Sequence, residues 1–324
     1  MKENKWKDLW EKCSGSIYQS WEWASINKAK GKEPIFLAYE ADNKLKAGIL
    51  CFPSKIKTFI GTKKILFAEG MPLFSDKESL IEILKKFKAE SRGYSYGFIQ
   101  PTFFNYDADS FAKAGFHRIN NNTIFIQLSP EIKALFNGLE KKSARWGVKK
   151  AEKEGVKIST MHSKKDLEEF YEIYKKTSEN QFSSEPFSLF ENISILEKDG
   201  FARCFIAKHN NELIGGALLL LDYNYGVVSL TSVSENGMKL QAMNLLYWEM
   251  IKYCKEKNKK LIDLGGYSLN AKQGTKMHNI NQFKENFGGQ ITEQPAFSTS
   301  KNYVLMHKLR KKFDFIKKLY KKEK

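Results

Sequence analysis

The sequence is poor in cysteine and histidine and contains no long apolar run. Its four cysteines, Cys13, Cys51, Cys204 and Cys254, stand far apart with no Cys-x-x-Cys spacing. That argues against a disulfide framework and against a zinc site. The five histidines form no cluster, and neither a Ser-His-Asp order nor a metal-ligand spacing occurs. Triad hydrolysis and metal chemistry are therefore not expected. The longest apolar run, Leu213 to Leu221, is about nine residues around two glycines, and a bilayer span needs about 20. The start, MKENKWKDLWEKC, is charged throughout and lacks the apolar stretch of a signal peptide. A cytoplasmic location is expected. Acidic residues are in deficit: 37 Asp and Glu face 54 Lys and Arg, a net charge of +17. Such an excess points to nucleic acid, an anionic membrane face or a phosphate-bearing substrate, although a Lys-rich proteome makes many proteins basic without that reason. A hydrophobic share of 42% in 324 residues excludes a wholly disordered chain, and the length suggests about two domains.

Helical and strand patterns alternate, so the class is α/β or α+β. The spacing predicts helices over 18–31, 77–90, 107–116, 166–180, 187–200, 239–258 and 279–289. Strands are expected over 33–42, 44–56, 64–74, 96–104, 122–130, 156–161, 260–268 and 291–300, with three more between 201 and 235. The order β–α–α–β–β–β–α–β–α–β occurs whole in the second half and in recognisable form in the first. FAKAGF (111–116) and FKENFGG (283–289) end the last helix of each unit alike, and Gly is the expected C-terminal stop. This is a repeat of topology more than of sequence.

That topology resembles the GNAT acyltransferase fold, taken twice. The resemblance implies a first domain over 1–130 completed by 295–324, a linking basic helix over 131–155, and a second domain over 156–294. It also implies a sheet that splays between its fourth and fifth strands, where the acyl donor enters. CoA-dependent members cradle pyrophosphate with a glycine-rich loop, because backbone N–H groups must approach the phosphates at a helix N-terminus. The matching loop here, SENGMKLQA (234–242), has a single glycine. In FAEGMPLF (67–74) of the first unit, Pro72 removes a donor. No cofactor is expected.

Several segments resemble the Fem family of aminoacyl-tRNA-dependent peptidyltransferases of peptidoglycan bridge formation. YQSWEWASINK (18–28) is similar to its Q-S-x-x-W signature, and GMP (70–72) to its Gly-Pro. SARWGVKKAEKEGVKI (143–158) resembles its basic helix, MNLLYWEMIKYCKEKNKKLIDLGGYS (243–268) its Leu-x-Trp-Glu helix and Asp-x-Gly-Gly strand end, and QFKENFGG (282–289) its Phe-Lys-x-x-Phe-Gly-Gly ending. The resemblance implies a monomeric enzyme moving an amino acid from aminoacyl-tRNA to an amine on a nucleotide- or lipid-linked peptidoglycan precursor. It puts Lys284 and Phe283 at the catalytic end. A lone Lys on a helix is ordinarily a solvated charge; in this family it faces the cleft and meets phosphate or the developing oxyanion. Trp23, Lys28, Gln100, Ser229, Thr231, Asn244, Asp263, Gly265 and Gly266 become substrate-binding candidates. Gln100 stands where one member type has Asp-Pro, and Ser229 and Thr231 stand where such members carry Tyr, so the acceptor pocket is expected to differ. Arg145, Lys149, Lys150 and Lys153 form a basic stripe, ordinarily solvated but also a phosphate track. Tyr247 and Trp248 read as core, and His278 as a loop residue.

Two other readings compete. One is a GNAT enzyme using acyl-CoA on an envelope or polysaccharide substrate. The other is a non-catalytic tRNA or membrane-surface binder. From Lys301 to Lys324 there are ten Lys or Arg and two acids. Leu305, Leu309, Phe313, Ile316 and Tyr320 recur there at helical spacing. That pattern fits a basic helix packed on the first domain, or one in peripheral contact with the anionic inner face of a membrane.

Overall fold

The computed structural model describes residues 1–58, 61–101, 106–161, 163–178 and 186–307. The chain divides into two compact units, one of residues 1–121 with 293–324 and one of residues 122–292.

The first unit runs α1 (Glu3–Lys12), α2 (Trp21–Ala29), β1 (Ile35–Ala41), β2 (Lys44–Thr58), β3 (Gly61–Glu69), β4 (Leu73–Phe74), α3 (Lys77–Glu90), β5 (Gly97–Gln100), α4 (Ala108–Lys113) and β6 (His117–Ile119). The second runs β7 (Asn122–Gln127), α5 (Ile132–Gly138), α6 (Ala144–Lys153), β8 (Lys157–Thr160), α7 (Lys164–Ser178), α8 (Phe187–Lys198), β9 (Ala202–His209), β10 (Glu212–Leu221), β11 (Tyr225–Val233), α9 (Glu235–Lys239), α10 (Ala242–Glu256), β12 (Leu261–Tyr267), α11 (Lys276–Glu285) and β13 (Gln290–Glu293). A last strand, β14 (Ala296–Ser298), returns to the first sheet.

The periodic segments form as their side chains dictate. In α3, Leu80, Ile83, Leu84 and Phe87 form one buried stripe, and Asp76 and Ser79 make a reciprocal capping box at its start. The turns at Asp42-Asn43 and Asn210-Asn211 adopt positive φ, as two-residue hairpins require. The helix α1 escapes the sequence reading because its charges dominate. Trp6 nevertheless has no exposed surface, and it packs edge-on to Phe36 at 4.7 Å.

The Q-S-x-x-W segment is held by the fold. Gln19 has no exposed surface. Its amide donates to the carbonyls of Leu50 (3.1 Å) and Glu69 (2.6 Å), and its oxygen accepts from the Leu50 amide at 2.8 Å. Ser20 caps α2 by accepting from the Trp23 amide.

The two sheets repeat one plan. The first has the order β1-β2-β3-β5-β14-β6, with β4 beside β2, and the second β13-β7-β12-β11-β10-β9-β8. Each contains a parallel pair, β3 with β5 and β11 with β12. Each then takes a strand that sequence order assigns elsewhere. The expected strand 122–130 is β7, which pairs with β12 in the second sheet. The expected strand 291–300 breaks at Pro295 into β13 and β14, one in each sheet. The segment 131–155 is two helices within the second unit, not one linking helix. Ala144, Val148 and Ala151 belong to that unit's core, which is why the segment cannot act as a free linker.

At the C-terminal end the helical turn from Lys301 buries Val304 against Ile119 and Ala296, and Tyr303 stacks on Tyr96 at 4.3 Å. Leu305, expected on the packed stripe, is 56% exposed, because Tyr303 and Val304 point inward instead. Leu309, Phe313, Ile316 and Tyr320 lie outside the described residues. No described helix is long and apolar enough to cross a membrane.

Candidate active site

In the first sheet the parallel pairing runs to Gln100, the end of β5. In the second it stops at Val227 and Asp263, although β11 continues to Val233 and β12 to Tyr267. Past that point the two strands diverge. The opening is a cleft of about 1450 Å³. Val228, Leu230, Met243 and Ile280 give it an apolar wall, while Ser229 and Thr231 supply hydroxyls.

Two glycines build one side of the opening. Between Asp263 and Gly266 the β12–β7 register slips. Gly265 sits there at φ +85, where L side chains rarely go. A side chain on Gly265 would also approach Lys284 Nζ, which lies 3.6 Å from its Cβ position. The bulge turns the Gly266 carbonyl toward helix α11, and Lys284 Nζ donates to it at 2.9 Å.

Lys284 is buried, with 7% of its surface exposed, yet it lines the cleft. Burial pulls its ammonium down from 10.5 to about 8, against the opposing pull of the Asp263 carboxylate. Phe283 precedes it and stands edge-on to Tyr247 at 4.9 Å. Tyr247 shares a face of α10 with Asn244, and both line the cleft. Its phenol is raised by burial and bonded to Thr231. The sequence reading assigns Tyr247 to the core alone. The Asn244–Tyr247 spacing of one helical turn is the signal that could have placed it at the site.

Asp263, expected among the substrate-binding residues, does not line the cleft. It is buried beneath the cleft, where its Oδ1 accepts from Thr123 Oγ1 at 2.5 Å and from the Gly265 amide at 2.8 Å. Burial raises its carboxyl, while those two donors and the Lys284 charge oppose the rise. Thr123, 140 residues away in sequence, carries no local signal.

Arg145 is likewise engaged. Its guanidinium donates to the carbonyls of Asn137 and Leu139 at the end of α5, so it caps a helix. Lys149 and Lys153 are exposed on α6 and Lys150 half-exposed; Lys149 lies over Phe136 and Lys150 over Trp146. Trp23, Lys28 and Gln100 belong to the first unit. Trp23 is half-buried against Tyr18, Lys28 is exposed, and the Gln100 carbonyl accepts from Gly70. His278 lies within α11 rather than in a loop, its amide capped by Thr275.

Gly147 holds α6 tightly to α10. A Cβ there would fall 2.5 Å from Asn244 Nδ2. Gly147→Ala is therefore expected to cost about 1–3 kcal/mol through overpacking, despite the better helix propensity of Ala. It should also displace Asn244 at the cleft. Urea denaturation measures the first effect, and an unchanged or raised midpoint would show the contact to be slack.

The short helix α9 occupies the place of the pyrophosphate loop. The Gly237 amide donates to Ser234 Oγ at 3.1 Å. The amides of Met238, Leu240 and Gln241 donate to the carbonyls of Ser234, Asn236 and Met238. A Cβ on Gly237 would collide with the Ile214 carbonyl, so this glycine serves close packing of α9 on β10. These residues fit a CoA pyrophosphate poorly: the Gly237, Met238, Leu240 and Gln241 amides are engaged and the glycine faces protein.

Residues 140–275 match the acetyltransferase (GNAT) domain family. No curated protein matches the sequence. Among solved structures the chain is similar to FemX, with 16% identity over 95% of this chain and 98% of that one and a TM-score of 0.76. It is also similar to the C-terminal domain of a putative lysylphosphatidylglycerol synthetase from Agrobacterium fabrum, at 11% identity over 94% and 93% with a TM-score of 0.64. L-PGS from Bacillus licheniformis matches at 14% identity over 96% of both chains with a TM-score of 0.62. The fold is thus the double GNAT-like acyltransferase fold, as the repeated element order suggests.

Proposed function

We propose that this chain of FemX-like double GNAT fold is an aminoacyltransferase. It moves an amino acid from aminoacyl-tRNA to an amine on a peptidoglycan-precursor peptide. The observation that carries the reading is Lys284: a buried ammonium, anchored on the Gly266 carbonyl, at the divergence of β11 and β12. In the reaction the acceptor nitrogen attacks the ester carbonyl, a C–N bond forms, the C–O bond to ribose breaks, and the amine proton ends on the ribose oxygen. The ester is already activated, so the protein's task is to stabilise the oxyanion. A buried ammonium does this better than one in water. Phe283 and Tyr247 wall the reacting end, Gly265 and Gly266 allow close approach, and Ser229, Thr231 and Asn244 line the space for substrate.

Aminoacyl-tRNA suits the donor side because the chain is strongly basic and the Gly237, Met238, Leu240 and Gln241 amides are already engaged. Lys149, Lys150 and Lys153 are the proposed phosphate contacts. Trp23, Lys28 and Gln100 remain the proposed acceptor contacts of the first unit. In this reading the protein works as a cytoplasmic monomer that meets lipid-linked precursors at the membrane face. Acyl-CoA is the competing donor.

The test mixes purified protein with charged tRNAs and candidate precursors and follows mass gain on the acceptor. Gain from aminoacyl-tRNA supports the reading. Gain from acetyl-CoA alone overturns it.

A pH profile adds a second check. Oxyanion stabilisation needs the Lys284 ammonium, which is lost as pH rises through about 8. The rate with saturating substrates should therefore fall above that pH. A plateau to pH 10 would remove Lys284 from the step. The same displaced titration has a stability consequence: the unfolded lysine keeps its proton to about 10.5 and the folded one does not, so stability rises with pH between about 8 and 10.5.

A further inference from the structure

The pair Thr123–Asp263 lies under the cleft, out of a substrate's reach. Thr123 comes from β7, the strand that enters the second sheet from before its first helix. Its hydroxyl donates to Asp263 Oδ1, and the same oxygen takes the Gly265 amide. Both residues are buried, Thr123 completely and Asp263 to 4% exposure. A buried carboxylate is costly unless it is hydrogen-bonded and has a charge partner. Here the partner is Lys284, whose Nζ is held on the carbonyl of Gly266, the residue after the pinned amide.

We propose that Thr123 and Asp263 are positioning residues: the hydroxyl orients the carboxylate, the carboxylate pins Gly265 in its bulge and so aims the Gly266 carbonyl, and the pair gives the buried ammonium its compensating charge. The inference rests on the reading of Lys284 as the group that meets the oxyanion. Asp263 is the charged group on β12 acting on that ammonium. On α10 the wall carries Tyr247, a phenol held neutral by burial and bonded to Thr231. On α11 itself Glu285 is engaged by the Tyr267 hydroxyl, and Lys276 stands eight residues back at the helix start. Removing Asp263's charge should therefore make the Lys284 ammonium lose its proton at lower pH.

The experiment reads the lysine directly and uses no tRNA. The full-length protein is labelled with 13C at lysine Cε, and the Lys284 signal is assigned by its loss in Lys284→Arg. In the wild type its midpoint should lie near pH 8. Asp263→Asn should lower that midpoint by about one pH unit or more, as loss of an adjacent opposite charge does. Thr123→Val should lower it less, because the carboxylate remains but is held less firmly as an anion. Thr123→Ser, which keeps the hydroxyl, should leave it in place. A wild-type midpoint at the ordinary lysine value, or an unmoved midpoint in folded Asp263→Asn, would overturn the proposal. Loss of fold in both Asp263→Asn and Thr123→Ser would also overturn it, since the pair would then be a structural clamp. If the wild-type protein transfers no amino acid but the midpoints move as stated, the positioning role stands and the proposed reaction fails.

Discussion

Lys284→Ala should lower kcat for aminoacyl transfer by about 10²–10³-fold, or about 2.7–4 kcal/mol, the usual loss when one oxyanion-stabilising donor is removed. The substitution takes away the ammonium anchored on the Gly266 carbonyl. Folding should survive, because Asp263 keeps its Thr123 and Gly265 donors after its charge partner is removed. The Gly266 carbonyl borders the cleft and can be reached by water. KM should change little if the lysine acts on the transition state alone. Steady-state kinetics with circular dichroism separates the cases: a folded variant with wild-type kcat would end the assignment. Lys284→Arg is a stricter probe. Its larger, flat guanidinium keeps the charge but must fit beside the Gly265 backbone, so partial activity is expected.

Gln19→Ala should destabilise the first unit by about 3–5 kcal/mol. Each buried backbone group left without its partner costs about 1–3 kcal/mol. The substitution removes two donations, to Leu50 and Glu69, and one acceptance, from the Leu50 amide. Domains are stable by only about 5–15 kcal/mol, so the loss should appear as a large drop in urea midpoint. Gln19→Glu should be nearly as harmful, because a carboxylate cannot donate to two carbonyls. If either variant unfolds at the wild-type midpoint, the side chain is not the staple described above. Activity per folded molecule should be far less affected than stability. The Q-S-x-x-W segment would then be a folding signature, with Gln19 and Ser20 both turned to backbone groups.

Much of the candidate site is legible in the residue order. Phe283, Lys284, Gly265, Gly266, Asn244, Ser229 and Thr231 come together at one cleft. Ser229 and Thr231 stand out as departures from the Fem resemblance; the others stand out because it rests on segments around them. Asp263 stands out for the same reason, but it lies beneath the cleft rather than in it. Arg145 looks like part of a basic stripe. Its fork instead closes the end of α5, a geometry that helical spacing cannot foresee.

What is local follows from the residue order. Periodicity of 3.6 marks α3 and α10, alternating or apolar runs mark β9 to β11, and Asn-containing pairs mark the turns between strands, because side-chain spacing and backbone φ act over a few residues. The charge and the single-glycine loop, which motivate the proposed donor, are read there too. Which strands meet is a tertiary outcome. Folding sends β7 into the second sheet and β14 into the first, stops the β11–β12 pairing at Asp263, and brings Thr123 to that carboxylate. Those outcomes depend on register and on burial shared by segments distant in sequence, 140 residues for Thr123 and Asp263. The charge state of Lys284 has the same origin: the side chain is an ordinary lysine, and its proton affinity is set by the desolvation and the Asp263 carboxylate that the folded second unit puts around it.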